Sequence, residues 1–188
     1  HFGKRFRSEY FILENAFYIM APGLYFPVTG IENIVKQYTA QDYLIDRRYR
    51  YFYLYFDRLE SSADFERLRD LVENIYTNDY LNKQIVNWNQ SLTAADGKSG
   101  LPQQLDFYSR FVRNNKERTV VIISDALRYE VGRTLFEKIQ ADEKCTATIS
   151  AMQAVLPSYT RFGMAALLPH KTIAVCPDLR VTIDDKQT

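Results

Sequence analysis

No stretch of this chain approaches the roughly 20 consecutive apolar residues that a membrane-spanning helix needs. Its first residues, HFGKRFRSEYF, lack the basic, apolar and small-residue order of a secretory signal, so the expected location is cytoplasmic. Cysteine is scarce. Cys145 and Cys176 lie far apart and outside any CxxC or Cys/His cluster, which reads as idle thiols rather than a disulfide or a zinc ligand. Charge of one sign is lacking too: Lys+Arg 24 against Asp+Glu 23 leaves a formal net charge of +1, which argues against a protein that coats DNA. What remains is an ordinary globular composition, 46% hydrophobic and 25% charged over 188 residues, enough for a sizeable core. The first residue is His1 rather than Met, and DDKQT ends the chain without a terminal element, as in a piece of a longer protein.

Aromatic residues divide the sequence. Of 27 Phe, Trp and Tyr, only Tyr129, Phe136, Tyr159 and Phe162 lie beyond residue 117. Residues 1–117 are therefore expected to form a helical, aromatic-rich region, and 118–188 the start of an α/β domain. Ile45, Tyr49, Phe52, Phe56 and Leu59 recur at helical spacing, with Asp46, Arg47, Arg50 and Asp57 on the wet faces. A second helix carries Phe65, Leu68, Val72 and Ile75, opened by the capping tract Ser61-Ser62-Ala63-Asp64. A third carries Leu81, Ile85, Trp88 and Leu92, after the weak helix-forming tract Thr77-Asn78-Asp79. An earlier helix is expected over 8–20 and a short one over 103–113, with a loop at 96–102.

After Arg118 the pattern changes. Thr119-Val120-Val121-Ile122-Ile123 is a continuous β-branched run, as in a strand buried on both faces of a parallel sheet. Helix over 126–140, strand over 146–149, helix over 160–168 and strands over 171–175 and 180–183 follow, the alternation of an α/β sandwich.

In such sheets ligands gather at the carboxyl ends of strands. Asp125 ends the first expected strand, and its carboxylate suits either a hard metal ion or the cap of the following helix. Thr160 lies where Pro157-Ser158-Tyr159 gives way to a helix. Its hydroxyl suits either a plain cap or a nucleophile beside a phosphoryl group, activated by a metal. Arg128 and Arg161 are nearby cations for nonbridging oxygens, or members of solvated helix faces. His170 is placed to favour a helix carboxyl end, and Glu130, Asp178, Asp184 and Asp185 are weaker candidates.

VVIISDALRYEVG, followed at the right distance by LPSYTRFGMAALLPH, resembles the PglZ domain, and YLIDRRYRYFYLYFDRL with LVENIYTNDYL resembles the helical region upstream of it. The family is that of the type A PglZ proteins of BREX phage-exclusion systems in bacteria. It is similar to the alkaline phosphatase superfamily, which hydrolyses phosphate or sulfate esters with metal ions and a Ser, Thr or Cys nucleophile. The resemblance implies the first half of an α/β/α sandwich preceded by helices. It implies a phosphatase or phosphodiesterase of an antiphage system, with Asp125 as a metal ligand and Thr160, ahead of Ala165-Ala166-Leu167-Leu168, as nucleophile and metal ligand. A rival register would put the nucleophile at Val155, which has no reactive group, and Ser158 is the fallback. The implied cofactors are two zinc ions, or manganese or magnesium. The implied partners are a phosphoester substrate and other subunits of the defence system, including a methyltransferase and ATPases. The superfamily's further Asp and His ligands have no counterpart here, since the histidines are His1 and His170, so this piece alone is expected to be inactive.

RRYR, within RRYRYFYLYF, places cations beside aromatics and could stack on nucleic-acid bases, but the helical spacing assigns those rings to a core first. The alternative to an enzyme is a docking scaffold of the defence complex that keeps the phosphatase fold without its chemistry.

Overall fold

The structure, a computed structural model, describes residues 5–21 and 26–187. It divides into two compact units, His1–Ser99 with Arg128–Thr146, and Gly100–Leu127 with Ala147–Thr188. This division does not follow the aromatic break near residue 117.

The first unit is helical. Helices α1 (Arg7–Met20) and α3 (Tyr43–Phe56) pack along each other, with α2 (Ile31–Gln37) leading into α3 through a π turn, Tyr38–Asp42. The expected 3.6-residue period of α3 holds: Ile45, Phe52 and Phe56 are buried with Ile12, Ala16 and Ile19 of α1. Helix α2 was not anticipated. Helices α4 (Glu66–Asn74) and α5 (Asn82–Ala94) are joined by a π segment, Ile75–Leu81, with no break. The weak tract at 77–79 lies inside that segment. Its polar side chains bond along the helix instead of ending it, Asn78 Nδ2 donating to Asn74 Oδ1 at 2.7 Å and Lys83 reaching Asp79 at 3.0 Å. Tyr76 and Tyr80, buried in the core, outweigh the poor propensity. The Ser61–Asp64 tract forms no side-chain cap; a 3-10 turn, Ala63–Phe65, opens α4 instead. Helix α5 closes in a Schellman arrangement. Gly97 N–H bonds Leu92 O at 2.9 Å and Asp96 N–H bonds Thr93 O at 3.2 Å, with Asp96 left-handed at φ 50°.

Helix α6 (Tyr129–Gln140) belongs to this unit and contacts α3. Its Glu130 is wholly buried and takes three bonds of 2.8–3.0 Å from Arg50, while Glu137 pairs with Arg47 at 2.8 Å. Arg48 pairs with Glu14 at 3.0 Å. Each arginine of RRYR therefore meets a carboxylate, and Tyr49 stacks on Tyr76 with ring centroids 3.6 Å apart.

Asp46 sits among these rings, accepting bonds from Tyr38 Oη at 2.5 Å and Tyr76 Oη at 3.0 Å. Burial pushes its carboxyl above the ordinary carboxylate range; the hydroxyls of Tyr38, Tyr76 and Tyr80 counter this only in part, and the charge of Glu130 adds to it. The folded state thus holds this proton more tightly than the unfolded one. Asp46 contributes most below the ordinary Asp value, and its contribution is lost as pH rises through the folded pKa. Asp46→Asn is expected to gain on the wild type as pH rises from about 4 to about 7. Melting temperatures of both across that range check this, and a constant difference would contradict it.

The second unit holds helix α7 (Thr160–Ala166) and a three-stranded antiparallel sheet, β1 (Ile173–Val175), β2 (Val181–Ile183) and β3 (Lys186–Gln187). Phe162, Ala165 and Ala166 of α7 form its core with Val155 and Val181. The strands expected over 171–175 and 180–183 form as an antiparallel pair. The connection from β1 to β2, closed by Cys176 N–H to Arg180 O at 2.8 Å, is too short for a crossover. Asp184 and Asp185, at φ 47° and 63°, then form the two-residue turn into β3, a conformation matched to antiparallel hairpins.

The runs expected as strands at 119–123 and 146–149 have no regular structure. β-branched residues favour extended backbone, but a strand exists only through ladder bonds to a neighbour, and among the described residues none pairs with either run. Val120 and Ile122 are accordingly 74% and 88% exposed. The helix expected from Ala126 begins three residues later, because Ala126 is left-handed at φ 54°. The short helix expected over 103–113 forms over 104–112, a 3-10 turn at Gln104–Asp106 running through Phe107 into a π turn at Tyr108–Val112.

Candidate active site

The site lies in the second unit, around a pocket of about 430 Å³ lined by Ser124, Asp125, Ser158, Tyr159, Thr160 and Gln104, among others. Neither Asp125 nor Thr160 is a helix cap. The cap position of α6 is Arg128 and that of α7 is Tyr159, leaving Thr160 as the first helical residue. Tyr159 is extended at φ −96°, ψ 153°, follows a cis Leu156–Pro157 bond, and fixes its ring by donating Oη–H to Leu179 O at 2.8 Å.

Asp125 and Thr160, 35 residues apart, come together. Thr160 Oγ1 lies 3.4 Å from Asp125 Oδ2. That exceeds the roughly 2.7 Å of a strong O–H···O bond, so the pair is close without being locked. Asp125 Oδ1 accepts the Ala126 N–H at 3.0 Å. The left-handed Ala126 costs about 1 kcal/mol relative to the ordinary helical region, a local strain directly beside the carboxylate. Both Asp125 and Thr160 are exposed.

Among the other sequence candidates, Ser158 lines the same pocket. Arg161 is exposed and does not line it. Arg128 belongs to the helical unit, where its charge acts on Tyr76. Glu130 is spoken for by Arg50. Asp178 pairs with Arg180 in the β1–β2 turn. Asp184 accepts the N–H groups of Lys171 and Thr172 at 2.8 and 2.9 Å, which hold its carboxyl below the usual range. Asp185 serves the following turn. His170 Nδ1 lies 2.8 Å from Leu168 O, beyond the end of α7. Cys145 and Cys176 are free thiols. Val155 is buried, and its N–H is taken by Gln104. Gln104 and Tyr159 were missed by sequence reasoning: a lone glutamine carries no motif, and Tyr159 registered only as a turn residue.

For a divalent metal, the pair offers a carboxylate and a hydroxyl oxygen, which fit magnesium, manganese or zinc in kind. In number they fall short of the roughly three protein ligands of a catalytic zinc. Among the described residues no three of His, Cys, Asp and Glu gather to supply the rest.

Residues 107–187 match the family model described as the BREX system PglZ alkaline phosphatase-like domain. Over 160 residues, 81% of the chain, the sequence is 43% identical to the alkaline phosphatase-like protein PglZ of Bacillus cereus (strain H3081.97), covering 19% of that protein. Over 154 residues, 76% of the chain, it is 36% identical to the alkaline phosphatase-like protein BrxZ of Escherichia coli O9:H4 (strain HS), covering 18% of it. The chain thus spans about a fifth of the length of these curated relatives. No solved structure gives a significant match. No helix among the described residues is long and apolar enough to cross a membrane.

Proposed function

Since the chain belongs to the PglZ family of BREX systems, alkaline phosphatase-like proteins, we propose that it carries part of the active site of a metal-dependent phosphoester hydrolase, with Thr160 as nucleophile and Asp125 as metal ligand. The observation that carries the reading is the meeting of Thr160 Oγ1 and Asp125 Oδ2 at 3.4 Å on the wall of one pocket. Because the chain spans a fifth of its relatives' length, the activity is proposed for the full-length protein.

Thr160 supplies the attacking oxygen. Its proton passes to solvent as its bond to phosphorus forms and the bond from phosphorus to the leaving alcohol's oxygen breaks, and the alcohol departs with a proton from solvent. Water then cleaves the phosphothreonine, releasing phosphate from a monoester or a phosphomonoester from a diester and restoring the hydroxyl. Asp125 presents Oδ2 to this oxygen while Oδ1 is held by the Ala126 N–H. A bound divalent ion would lower the proton affinity of the hydroxyl it touches and offset charge on the leaving oxygen. Asp125 and Thr160 would be two of its ligands, with two zinc ions as the proposed set, manganese or magnesium as alternatives, and the remaining ligands outside these residues. The finer fold belongs to the same proposal: the exposed run 119–123 becomes a strand of an α/β/α sandwich in the full-length protein. The proposed partners are other subunits of the defence system, among them a methyltransferase and ATPases, and the proposed location is the cytoplasm.

The test is metal removal. Full-length protein treated with a chelator is expected to lose hydrolysis of an aryl phosphate or aryl phosphodiester and to regain it with zinc, manganese or magnesium. Asp125→Ala should need at least ~10-fold more metal for half-maximal recovery, as loss of one ligand weakens the site. Turnover indifferent to chelation would remove the metal from the proposal.

A further inference from the structure

Helix α7 has seven residues, too few to hold itself together in water. Its first turn is held from elsewhere in its unit. Gln104 Oε1 accepts the N–H of Val155 at 3.0 Å, and Gln104 Nε2 donates to Gly163 O at 2.9 Å. One amide thus spans the segment that leads into Thr160 and the helical turn that Thr160 begins.

Both bonds answer a need. The Val155 N–H sits on a buried residue, where an unmet donor is costly. The Gly163 carbonyl is a helix-end acceptor, since the Leu167 N–H turns to Met164 and Ala165 instead. A donor is required on one side and an acceptor on the other, so only one orientation of the Gln104 amide serves. The backbone carries the same connection: Gln104 N–H donates to Gln153 O at 2.9 Å, and Gln153 N–H to Pro102 O at 2.8 Å. Gln103 Nε2 adds a bond to Gln153 Oε1 at 3.1 Å. Gln104 also lines the pocket that Asp125 and Thr160 share, and it precedes the residues that match the family model.

We infer that Gln104 is a positioning residue: it fixes the first turn of α7, and through it the place of the Thr160 hydroxyl, without touching the reacting atoms. The inference rests on the hydrolase reading for its kinetic consequence but not for its structural one. The Thr160 oxygen and the Asp125 carboxylate belong to segments 35 residues apart in sequence, so the 3.4 Å between them depends on what holds each segment. Displacement of a reacting atom by about 1 Å can cost on the order of 100-fold in rate.

The experiment compares full-length wild type with Gln104→Met, which keeps the bulk and removes both bonds, and Gln104→Glu, which keeps the acceptor for Val155 and removes the donor to Gly163. Amide hydrogen exchange and steady-state kinetics are read on each. Gln104→Met is expected to exchange faster at Val155 and across 160–166, with exchange in the helical unit unchanged. Its kcat on an aryl phosphate should fall ~10–100-fold with KM within about twofold. Gln104→Glu is expected to keep Val155 protected while 160–166 exchanges faster. Wild-type exchange and wild-type kcat in Gln104→Met would overturn the inference. So would faster exchange spread equally over the helical unit, which would mark a general loss of folding. If the wild type itself turns over no substrate with any metal, the hydrolase reading fails, and the exchange comparison still decides the role of Gln104.

Discussion

Glu130→Ala is expected to destabilise the helical unit by about 3 kcal/mol, the lower end of the cost of removing one member of a buried ion pair. The carboxylate is wholly buried and receives three bonds from Arg50. Without it, the guanidinium keeps its charge and loses its partner inside the unit. Arg50 is one-third exposed, so water reaches part of the stranded charge and holds the loss to the lower end. Glu137→Ala is the comparison. Glu137 also meets an α3 arginine in a two-bond pair, but it is 44% exposed, and its removal should cost about 0–1 kcal/mol. Replacing both Arg50 and Glu130 by Met should recover most of the loss, since two apolar side chains leave no unpaired charge. Urea unfolding followed by helical circular dichroism measures all four proteins. Equal small losses for Glu130→Ala and Glu137→Ala would contradict the assignment of Glu130 to the core.

The same residue shows where sequence reasoning stops. Glu130 lies five residues after Asp125 and reads as one more carboxylate near a site, yet its partner is 80 residues away. Nothing in the local pattern announces Arg50. Helix α3 was legible because its periodicity is carried by the residues themselves, and the start of α7 at Thr160 because Pro157 disfavours a helix at Leu156 and Ser158-Tyr159 make the turn. Strands β1 and β2 were legible to within two residues, but their antiparallel sense depends on the short turn between them, which periodicity does not reveal. The run 119–123 has every strand preference and no partner among the described residues, and preference without a ladder makes no strand. The tract Thr77-Asn78-Asp79 misled in the opposite direction. Asparagine prefers to leave a helix, but here Asn78 Oδ1 accepts from Asn82 Nδ2 along it while Tyr76 and Tyr80 are buried. At the site, Asp125 and Thr160 were found by residue type and family resemblance, and the structure brings them together. Gln104 was not found, because its importance lies in the two segments it spans rather than in its own chemistry.

Thr160→Ala is expected to have the largest effect on activity. If Thr160 Oγ1 is the oxygen that bonds to phosphorus, its removal deletes the covalent step and, with it, one of the two oxygens proposed to bind metal. Loss of a nucleophile that acts as a unit with its partners costs at least ~1,000-fold in kcat. Thr160→Ser restores a hydroxyl on the same carbon and should recover a substantial part of the rate. Ser158, on the same pocket wall, is the internal control: Ser158→Ala should keep kcat within about tenfold of wild type. Melting temperatures should differ little among the three variants, because Thr160 and Ser158 are both exposed.

The central claim is that Thr160 and Asp125 form the working part of a metal-dependent phosphoester hydrolase. The most direct measurement is hydrolysis of an aryl phosphate and an aryl phosphodiester by the full-length protein with added divalent metal, beside its Thr160→Ala variant. Metal-dependent turnover of at least one substrate, lost in the variant while its folding is intact, is the predicted result. Absence of turnover in the wild type, with its partner subunits still bound, would contradict the claim and favour a docking scaffold that keeps the fold without the chemistry.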